Sequence, residues 1–254
     1  MSKPQAQTGS TARSIMLDAI ILCGGRGSRL ASIIADVPKP LAPVAEKPFL
    51  DYLLHLLAQS GVVRSATLAV HHLAERIVSY YAEHTAPLPL RFVREQTPLG
   101  TGGAIMNCLS AVEGPTFLCL NGDSLCGGDL AALIETHRTA AAGISVALIE
   151  MADTSRYGRV VCDASGRVTE FAEKAPSLGP GCINAGIYVI ERAALGPWNG
   201  EALSMERDIL PRLVRAGCVR GIRLSGPFID IGLPETYAAA AGFVRRLGIG
   251  EGVI

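Results

Sequence analysis

The sequence predicts an α/β protein: a Rossmann-like three-layer sandwich with a mostly parallel mixed central sheet and a small β-rich substrate-binding part. Two observations lead to this prediction. Between Ile15 and Met151, apolar strand-like runs alternate with segments of helical periodicity. After about Arg156, the pattern changes to short alternating strands and hairpin signals, which indicates a different kind of substructure.

The first half alternates regularly between strands and helices. Strands are predicted at 15–23, 65–70, 90–95, 115–123 and 143–151, and helices at 49–61, 71–84, 104–112 and 129–142. Such alternation is typical of parallel sheets, whose ligands bind beyond the carboxyl ends of the strands. Three features fall at those ends: Gly24-Gly25, a predicted loop from Pro98 to Gly103, and Asp123.

The second half is predicted to contribute a hairpin, strands and a closing helix. "YGRVVCDASGRVTEFAEK" places turn residues 163–166 between two alternating strands, and "CINAGIYVI" is a further strand. "SMERDILPRLV" has helical periodicity with a break at Pro211 and Ser204 as N-cap. We expect a disordered leader (1–14) and a single domain (15–254), whose second half (151–254) encloses a substrate site against the first (15–150).

Composition excludes several classes of protein. The formal net charge is zero and no basic stripe is present, which argues against a nucleic-acid partner. No apolar run approaches the roughly 20 residues of a membrane span, so a cytoplasmic location is expected without a membrane partner. The seven cysteines are scattered and form no CxxC pair. We therefore interpret them as buried thiols in a reducing compartment.

The segment "ILCGGRGSRLASIIADVPKPLAP" predicts a polyphosphate site. Glycines let backbone N–H groups converge on phosphate oxygens, Arg29 adds a forked donor, and Lys39 adds a charge held between two prolines. A dinucleotide fingerprint would need glycine where Leu30 stands, and a Walker loop would need GK[ST]. The alternative interpretation is a tight turn with two solvated cations.

Two aspartates are candidate Mg²⁺ ligands. Asp123 follows an apolar strand, and Asp230 alternates with isoleucines in "PFIDIGLP". A carboxylate half-enclosed by apolar strand needs a cation or hydrogen-bond donors. Two such oxygen ligands beside a triphosphate describe a Mg²⁺ site. Alternatively, Asp123 caps the following segment and Asp230 pairs with a lysine.

In combination, these motifs resemble the sugar-1-phosphate nucleotidyltransferases. The resemblance runs from Ala19 to about Arg245 and is carried by "GGRGSRL", "PKPLAPV", "PLGTGGA", "NGD", "YGRV", "FAEK", "NAGIYV" and "FIDIGLPETY". "EQTPLGTGGAI", "RYG" and "FIDIGLPETY" are similar to the branch that uses GTP and D-glycero-D-manno-heptose 1-phosphate for bacterial surface polysaccharide synthesis. This implies GTP and a sugar 1-phosphate as substrates and Mg²⁺ as cofactor. It also implies a nucleotide-binding half at 15–150 and a sugar-phosphate-binding half at 151–254.

The resemblance also implies roles for individual residues. Asp123 and Asp230 are the implied metal ligands, and the implied catalytic group is Arg29, Lys39 and Asp123. The sugar phosphate is expected at Lys174, with Glu173 and Asn184 on sugar hydroxyls and the Gly158 backbone nearby. The nucleotide is expected at Leu22, Gly24, Gly25, Gly27, Ser28, Glu95, Pro98, Gly100 and Thr101.

Several alternatives stay open at the level of sequence. Glu95 is a candidate acceptor for guanine, but a surface salt bridge with Arg94 or Arg91 would explain it equally. His71 and His72 are interpreted as the start of a helix, and His137 as an exposed helix residue. Residues 204–208 are interpreted as a helix cap, and the resemblance leaves open that they shape the sugar pocket. Rival functions are transfer to mannose 1-phosphate from GTP or to glucose 1-phosphate from UTP or dTTP, a nicotinamide oxidoreductase, and a nucleotide-sugar sensor without activity. A homodimer is the default expectation for assembly.

Overall fold

A computed structural model describes residues 16–30, 33, 34, 36–172 and 179–249. The strands are Leu17–Leu22 (β1), Pro43–Val44 (β2), Lys47–Pro48 (β3), Val63–Val70 (β4), Leu90–Arg94 (β5), Thr116–Asn121 (β6), Ser124–Cys126 (β7), Ile144–Met151 (β8), Arg159–Cys162 (β9), Val168–Ala172 (β10), Gly181–Glu191 (β11), Val219–Arg223 (β12) and Phe228–Asp230 (β13). The helices are Phe49–Gln59 (α1), Ala74–Glu83 (α2), Gly100–Cys108 (α3), Leu130–Ala140 (α4), Arg192–Leu195 (α5), Leu210–Arg215 (α6) and Pro234–Arg246 (α7).

A nine-stranded mixed sheet forms the centre of the protein, in the order β10-β9-β11-β6-β1-β4-β5, with β8 beside β11 and β12 beside β8. The neighbours β6, β1, β4 and β5 run parallel, whereas β11 is antiparallel to both β6 and β8. The predicted hairpin is β9–β10. The predicted fold class is therefore confirmed.

The two faces of the sheet are covered by separate apolar clusters. Ala19 and Ile21 of β1 belong to one cluster, and Ile20 between them belongs to the other. Side chains of a strand alternate between faces, so β1 is buried from both sides. Helix α1 adds a stripe of buried residues at helical spacing, among them Phe49, Leu53 and Leu57.

The segment from Pro98 to Gly103 was wrongly predicted to be a loop, because α3 already begins at Gly100. Its glycines allow a close approach to another backbone segment. The N–H of Gly103 donates to the carbonyl of Leu203 at 2.9 Å, and a Cβ on Gly102 would lie 3.0 Å from that carbonyl oxygen. The glycines thus serve helix packing, which periodicity alone did not reveal.

The start of α2 also differs from the prediction. His71 and His72 precede the helix, which begins at Ala74 after Leu73 with φ of 53°. The left-handed residue turns the chain, so the histidines stay at the end of β4.

In "SMERDILPRLV", Ser204 caps the segment as predicted: its hydroxyl accepts from the Arg207 N–H at 3.1 Å. A π-helical turn, Met205–Ile209, then leads into α6. Pro211 lies in the first turn of α6, directly after the π-helical turn, so the hydrogen-bonding pattern of this segment changes next to the proline, as the predicted break suggests.

His137 was wrongly predicted to be exposed. It is 2% exposed, and its ring nitrogens contact Ser145 Oγ at 2.8 Å and Glu191 Oε1 at 3.2 Å. These partners come from β8 and β11, which the spacing within α4 does not reveal.

All seven cysteines are free and five are buried, as predicted. Among the described residues, no helix is long and apolar enough to cross a bilayer.

Candidate active site

A pocket of about 440 Å³ opens beyond the carboxyl ends of β1, β4 and β6. Its wall brings together segments that are far apart in the sequence, because parallel strands end at one edge of the sheet. The lining residues are Leu22, Gly24, Gly25, Arg26, His71, Glu95, Pro98, Gly100, Thr101, Ala104, Asn121, Asp123 and Glu206. Most of the predicted nucleotide-binding residues are in this set.

The glycine-rich turn after β1 forms one side of the pocket. A Cβ on Gly24 would lie 2.9 Å from Glu95 Oε1, so the absence of a side chain lets this carboxylate approach the turn. Gly27 has φ of 59°, and a Cβ there would meet Lys39 Cβ at 3.3 Å. Arg26 lines the pocket, whereas Arg29 is exposed and is not part of its lining. Arg26 is therefore a cation that sequence reasoning missed.

Lys39 forms an ion pair with Asp123, with 2.5 Å between Nζ and Oδ2. Its backbone lies in a single 3₁₀ turn between Pro38 and Pro40, both of which are buried. The prolines restrict the backbone and their burial anchors it, so the lysine is held in place. The Lys39 side chain is only 14% exposed.

Asp123 and Asp230, distant in sequence, are brought together by the β7–β13 ribbon. Asp230 is opposite Ser124, and the Ile231 N–H donates to the Asp123 carbonyl at 2.9 Å. A Cβ on Gly232 would lie 2.5 Å from Asp230 Oδ1 and 3.7 Å from Lys39 Nζ. The Lys39 ammonium therefore lies near both carboxylates.

Asp230 has partners of its own. Its Oδ1 accepts from the Gly232 N–H at 2.8 Å, and its Oδ2 accepts from the Tyr157 hydroxyl at 2.5 Å. Arg156 Nη2 lies 3.8 Å from the same Oδ2. Burial and the neighbouring Asp230 raise the pKa of the Tyr157 hydroxyl, so it remains a donor near neutral pH.

The two aspartates fit a Mg²⁺ ion that a nucleotide brings with it. Within the described ranges, no three His, Cys, Asp or Glu side chains gather to form a metal cage. Mg²⁺ is commonly held by one or two carboxylates together with substrate phosphates and water. Asp123 and Asp230 supply such a pair of hard oxygen ligands, and Lys39 beside them would contact the phosphates.

Glu95 lies on the pocket wall and is 6% exposed, so the predicted alternative of a surface salt bridge is wrong. Arg94 pairs instead with Glu75. Glu95 Oε2 accepts from the Leu99 N–H at 2.9 Å, which fixes the carboxylate. Burial raises the pKa of Glu95, while the Leu99 N–H and His71 act to lower it.

His71 is a second pocket residue that the sequence interpretation missed. Its Nδ1 lies 3.0 Å from the Glu95 carbonyl oxygen. Because α2 begins only at Ala74, this ring stays at the end of β4 and faces the glycine turn. The position of a polar residue directly after a parallel strand was the available signal.

Thr101 and Glu206 connect α3 with the π-helical turn at the pocket edge. The Thr101 hydroxyl donates to Glu206 Oε2 at 2.7 Å and accepts from the Met205 N–H at 2.8 Å. Thr101 was predicted to contact nucleotide, whereas Glu206 belongs to a segment interpreted as a helix cap. Sequence spacing could not indicate that these residues meet, because 105 positions separate them.

The predicted sugar-phosphate residues are only partly described. Glu173 and Lys174 lie outside the described residues, as does the side chain of Ser28. Gly158 has φ of 79°, a conformation that favours glycine. The Asn184 amide donates to the Tyr188 hydroxyl at 2.6 Å and accepts from the Gly186 N–H at 2.8 Å. Neither Gly158 nor Asn184 lines the 440 Å³ pocket.

Comparisons with known proteins show what this chain is similar to. The model of the family described as nucleotidyl transferase matches residues 18–246. The D-glycero-alpha-D-manno-heptose 1-phosphate guanylyltransferase of Campylobacter jejuni is 36% identical over 87% of this chain and 97% of its own. The mannose-1-phosphate guanylyltransferase of Mycobacterium tuberculosis is 34% identical over 91% of this chain, which spans 66% of that relative's length.

A solved structure has the same fold. HddC from Yersinia pseudotuberculosis, crystallised in complex with GMP-PN, superposes with a TM-score of 0.82 at 33% identity. The match covers 90% of this chain and all of that chain (100%). From the family match over residues 18–246 and these relatives, we conclude that the chain belongs to the nucleotidyl transferase family.

Proposed function

We propose that this protein transfers a guanylyl group from GTP to a sugar 1-phosphate, with D-glycero-D-manno-heptose 1-phosphate as acceptor, and releases pyrophosphate. The observation that carries the proposal is the cluster of Lys39, Asp123 and Asp230, of which Asp123 lines the pocket beside the glycine turn. A cation beside two carboxylates, next to a glycine-rich turn, suits a metal-bound triphosphate.

Guanine as the base is supported by Glu95 and by the names of the relatives. The pairing edge of guanine carries the N1–H and N2–H donors, and a carboxylate can accept hydrogen bonds from both. Glu95 Oε2 is already held by the Leu99 N–H, while Oε1 is directed toward Gly24. The heptose and mannose relatives are both guanylyltransferases.

The attacking group is an oxygen of the sugar 1-phosphate. It forms a bond to the α-phosphorus of GTP while the bond from that phosphorus to the bridging oxygen of the leaving group breaks, and pyrophosphate departs with that electron pair. The second pKa of a phosphate monoester is about 6, so the attacker is ionised near neutral pH. A general base is therefore not required.

Catalysis then consists of alignment and charge neutralisation. Lys39 offsets negative charge at the reacting phosphates, and Arg29 offsets charge on the leaving pyrophosphate. Arg26 on the pocket wall is a further cation for the same charge. Asp123 and Asp230 would hold Mg²⁺, which as a Lewis acid lowers the negative charge felt by the attacking oxygen.

The sugar side of the proposal depends on Lys174 for the acceptor phosphate and on Glu173, Asn184 and the Gly158 backbone for hydroxyls. Thr101 and Glu206 at the pocket edge add an acidic, hydrogen-bonded surface. We place the reaction in the cytoplasm, where its nucleotide substrate is made, and assign the product to surface polysaccharide synthesis.

Mannose 1-phosphate is the second candidate acceptor, because the Mycobacterium tuberculosis enzyme of that name is 34% identical to this chain. Both acceptors place a phosphate on the anomeric carbon of a manno-configured sugar. They differ in the groups beyond the ring, so the same pocket chemistry suits both.

The decisive experiment is a panel of GTP, UTP, CTP, ATP and dTTP crossed with heptose, mannose and glucose 1-phosphates. Pyrophosphate release is measured in each well. We expect turnover with GTP and the highest kcat/KM with the heptose 1-phosphate. Turnover with UTP or dTTP but not GTP would contradict the base assignment, and a preference for mannose 1-phosphate would contradict the acceptor.

A further inference from the structure

Tyr157, in the turn before β9, contacts the carboxylate of Asp230 at the end of β13. Its hydroxyl donates to Asp230 Oδ2 at 2.5 Å, while the opposite oxygen, Oδ1, accepts from the Gly232 N–H at 2.8 Å. Each oxygen of Asp230 is therefore fixed by one donor, and the two donors come from different elements. A carboxylate has about four lone-pair directions, so capacity for further ligands remains.

The ring of Tyr157 is held on two sides. It packs edge-on against Phe228 of β13, with 6.0 Å between ring centroids and an interplanar angle of 75°. The guanidinium carbon of Arg156 lies 5.2 Å from the ring centroid, which is cation–π contact distance. Restraint of the ring limits the positions that the hydroxyl can take.

The backbone of this turn is restrained as well. The N–H groups of Tyr157 and Gly158 donate to the Thr154 carbonyl at 3.1 and 3.0 Å. Thr154 is fully buried, and both its N–H and its hydroxyl donate to the Gly179 carbonyl at 3.0 Å. The turn that carries the tyrosine is therefore fixed by hydrogen bonds to the buried Thr154.

We infer that Tyr157 is a positioning residue, whose hydroxyl holds the Asp230 carboxylate in the orientation needed for the divalent cation. This inference rests on the proposed function, in which Asp230 holds Mg²⁺. Groups that orient a metal-binding side chain commonly contribute about 10- to 100-fold to metal affinity or activity.

The chain offers a matched control in Tyr80. Its hydroxyl also donates to a carboxylate, Asp51 Oδ2, at 2.7 Å, but this pair joins α2 to α1 and does not involve Asp123 or Asp230. Tyr157→Phe and Tyr80→Phe therefore remove the same hydroxyl from the same kind of hydrogen bond. Only the first is next to the proposed metal ligands.

The test measures Mn²⁺ binding with GTP present and no sugar phosphate, so that no turnover occurs. Water-proton relaxation reports the fraction of Mn²⁺ held by the protein–nucleotide complex. We expect Tyr157→Phe to weaken Mn²⁺ binding about tenfold and Tyr80→Phe to leave it within about twofold of the wild-type value. The Mg²⁺ concentration for half-maximal activity should rise in Tyr157→Phe, with melting temperatures confirming that both variants fold.

Mn²⁺ affinity in Tyr157→Phe that equals the wild-type value, even with a lowered melting temperature, would mean that the hydroxyl only stabilises the turn and would overturn the inference. Asp230→Ala distinguishes a failure of the role inferred for Tyr157 from a failure of the proposed metal site. If Asp230→Ala loses Mn²⁺ binding while Tyr157→Phe does not, this inference alone is wrong. If Asp230→Ala binds Mn²⁺ normally, the metal assignment fails and the inference falls with it.

Discussion

At the scale of the residue, Asp123 combines an ion pair with Lys39 and the metal-ligand role that we propose for it. Lys39 contacts it at 2.5 Å, and the side chain is 35% exposed at the pocket. Because it sits at a strand end and contributes little to the core, its removal affects the site more than the fold.

We predict that Asp123→Ala lowers kcat by about a hundredfold or more, since a metal ligand supplies several kcal/mol of charge stabilisation. Pyrophosphate release measures the rate, and far-UV circular dichroism checks the fold. Glu135→Ala, which breaks only an exposed pair with Arg138, serves as control. A near-normal kcat in Asp123→Ala would refute the assignment.

Glu95 is the residue on which base selection depends in the proposed function. Glu95→Gln keeps the shape but replaces one acceptor oxygen by an NH₂ donor, which opposes the guanine donors. We predict a rise of about tenfold in KM for GTP and a smaller preference for GTP over ITP, whose base lacks the N2 amino group. Unchanged discrimination between GTP and ITP would contradict this role.

Asp18 shows that a strongly perturbed carboxylate need not belong to the site. It is 1% exposed, and Arg64, Ser65 and the Glu113 N–H all donate to it. Burial alone would raise the pKa of Asp18, but these donors outweigh it and lower the pKa to about 2. The resulting stability is present above about pH 4 and is lost as the pH falls toward 2.

We therefore predict that Asp18→Asn lowers the free energy of unfolding by about 2 kcal/mol at pH 7. The difference from wild type should shrink in acid, because near pH 3 Asp18 is protonated in most unfolded chains while its native pKa is about 2, and this proton uptake favours unfolding of the wild type. Urea unfolding at pH 7 and at about pH 3 measures it. A gap that is constant with pH would show that packing rather than charge accounts for the loss.

At the scale of the element, α3 is set by contact with another segment and not by its own propensity. Glycine is a poor helix former, yet Gly100, Gly102 and Gly103 open this helix. They do so because the Leu203 backbone passes closely: Gly103 donates to its carbonyl and Leu203 N–H donates to Leu99.

A pair of glycine substitutions tests this explanation. Gly102→Ala gains helix propensity but places a Cβ 2.9 Å from Ile209 Cδ1 and 3.0 Å from the Leu203 oxygen. In α7, Gly242→Ala meets only the end of Arg246 at 3.6 Å. We predict that the melting temperature falls for Gly102→Ala and rises for Gly242→Ala, with effects of about 1 kcal/mol each. Equal increases in melting temperature would mean that the Leu203 backbone moves away from the added Cβ at little cost.

At the scale of the whole molecule, the two halves share one sheet. β11 from the second half lies between β6 and β8 from the first half, and β13 pairs with β7. If either half unfolded, the strands of the other would be left unpaired. We therefore propose that the boundary near residue 150 divides function and not folding.

We predict a single cooperative unfolding transition for the full chain. Trp198, the one tryptophan of the sequence, reports the second half by fluorescence, whereas far-UV circular dichroism is dominated by the long helices. The two urea transitions should coincide. Separate midpoints would show that the halves unfold independently.

The sequence by itself determined the fold class, because buried strands and amphipathic helices each have a characteristic spacing of apolar residues along the chain. It also determined the local chemistry of the glycine turn and of Lys39 between its prolines. These features depend on residues that are close in the chain, and sequence patterns record such relations well.

Only the tertiary structure decided which distant residues meet: Asp123 with Asp230, Thr101 with Glu206, and Tyr157 with Asp230. It also decided that Arg26 and His71 line the pocket and that His137 is buried. The physical reason is that such contacts depend on strand register and on where neighbouring strands end. Each is a property of paired backbones, and no local stretch of sequence contains it.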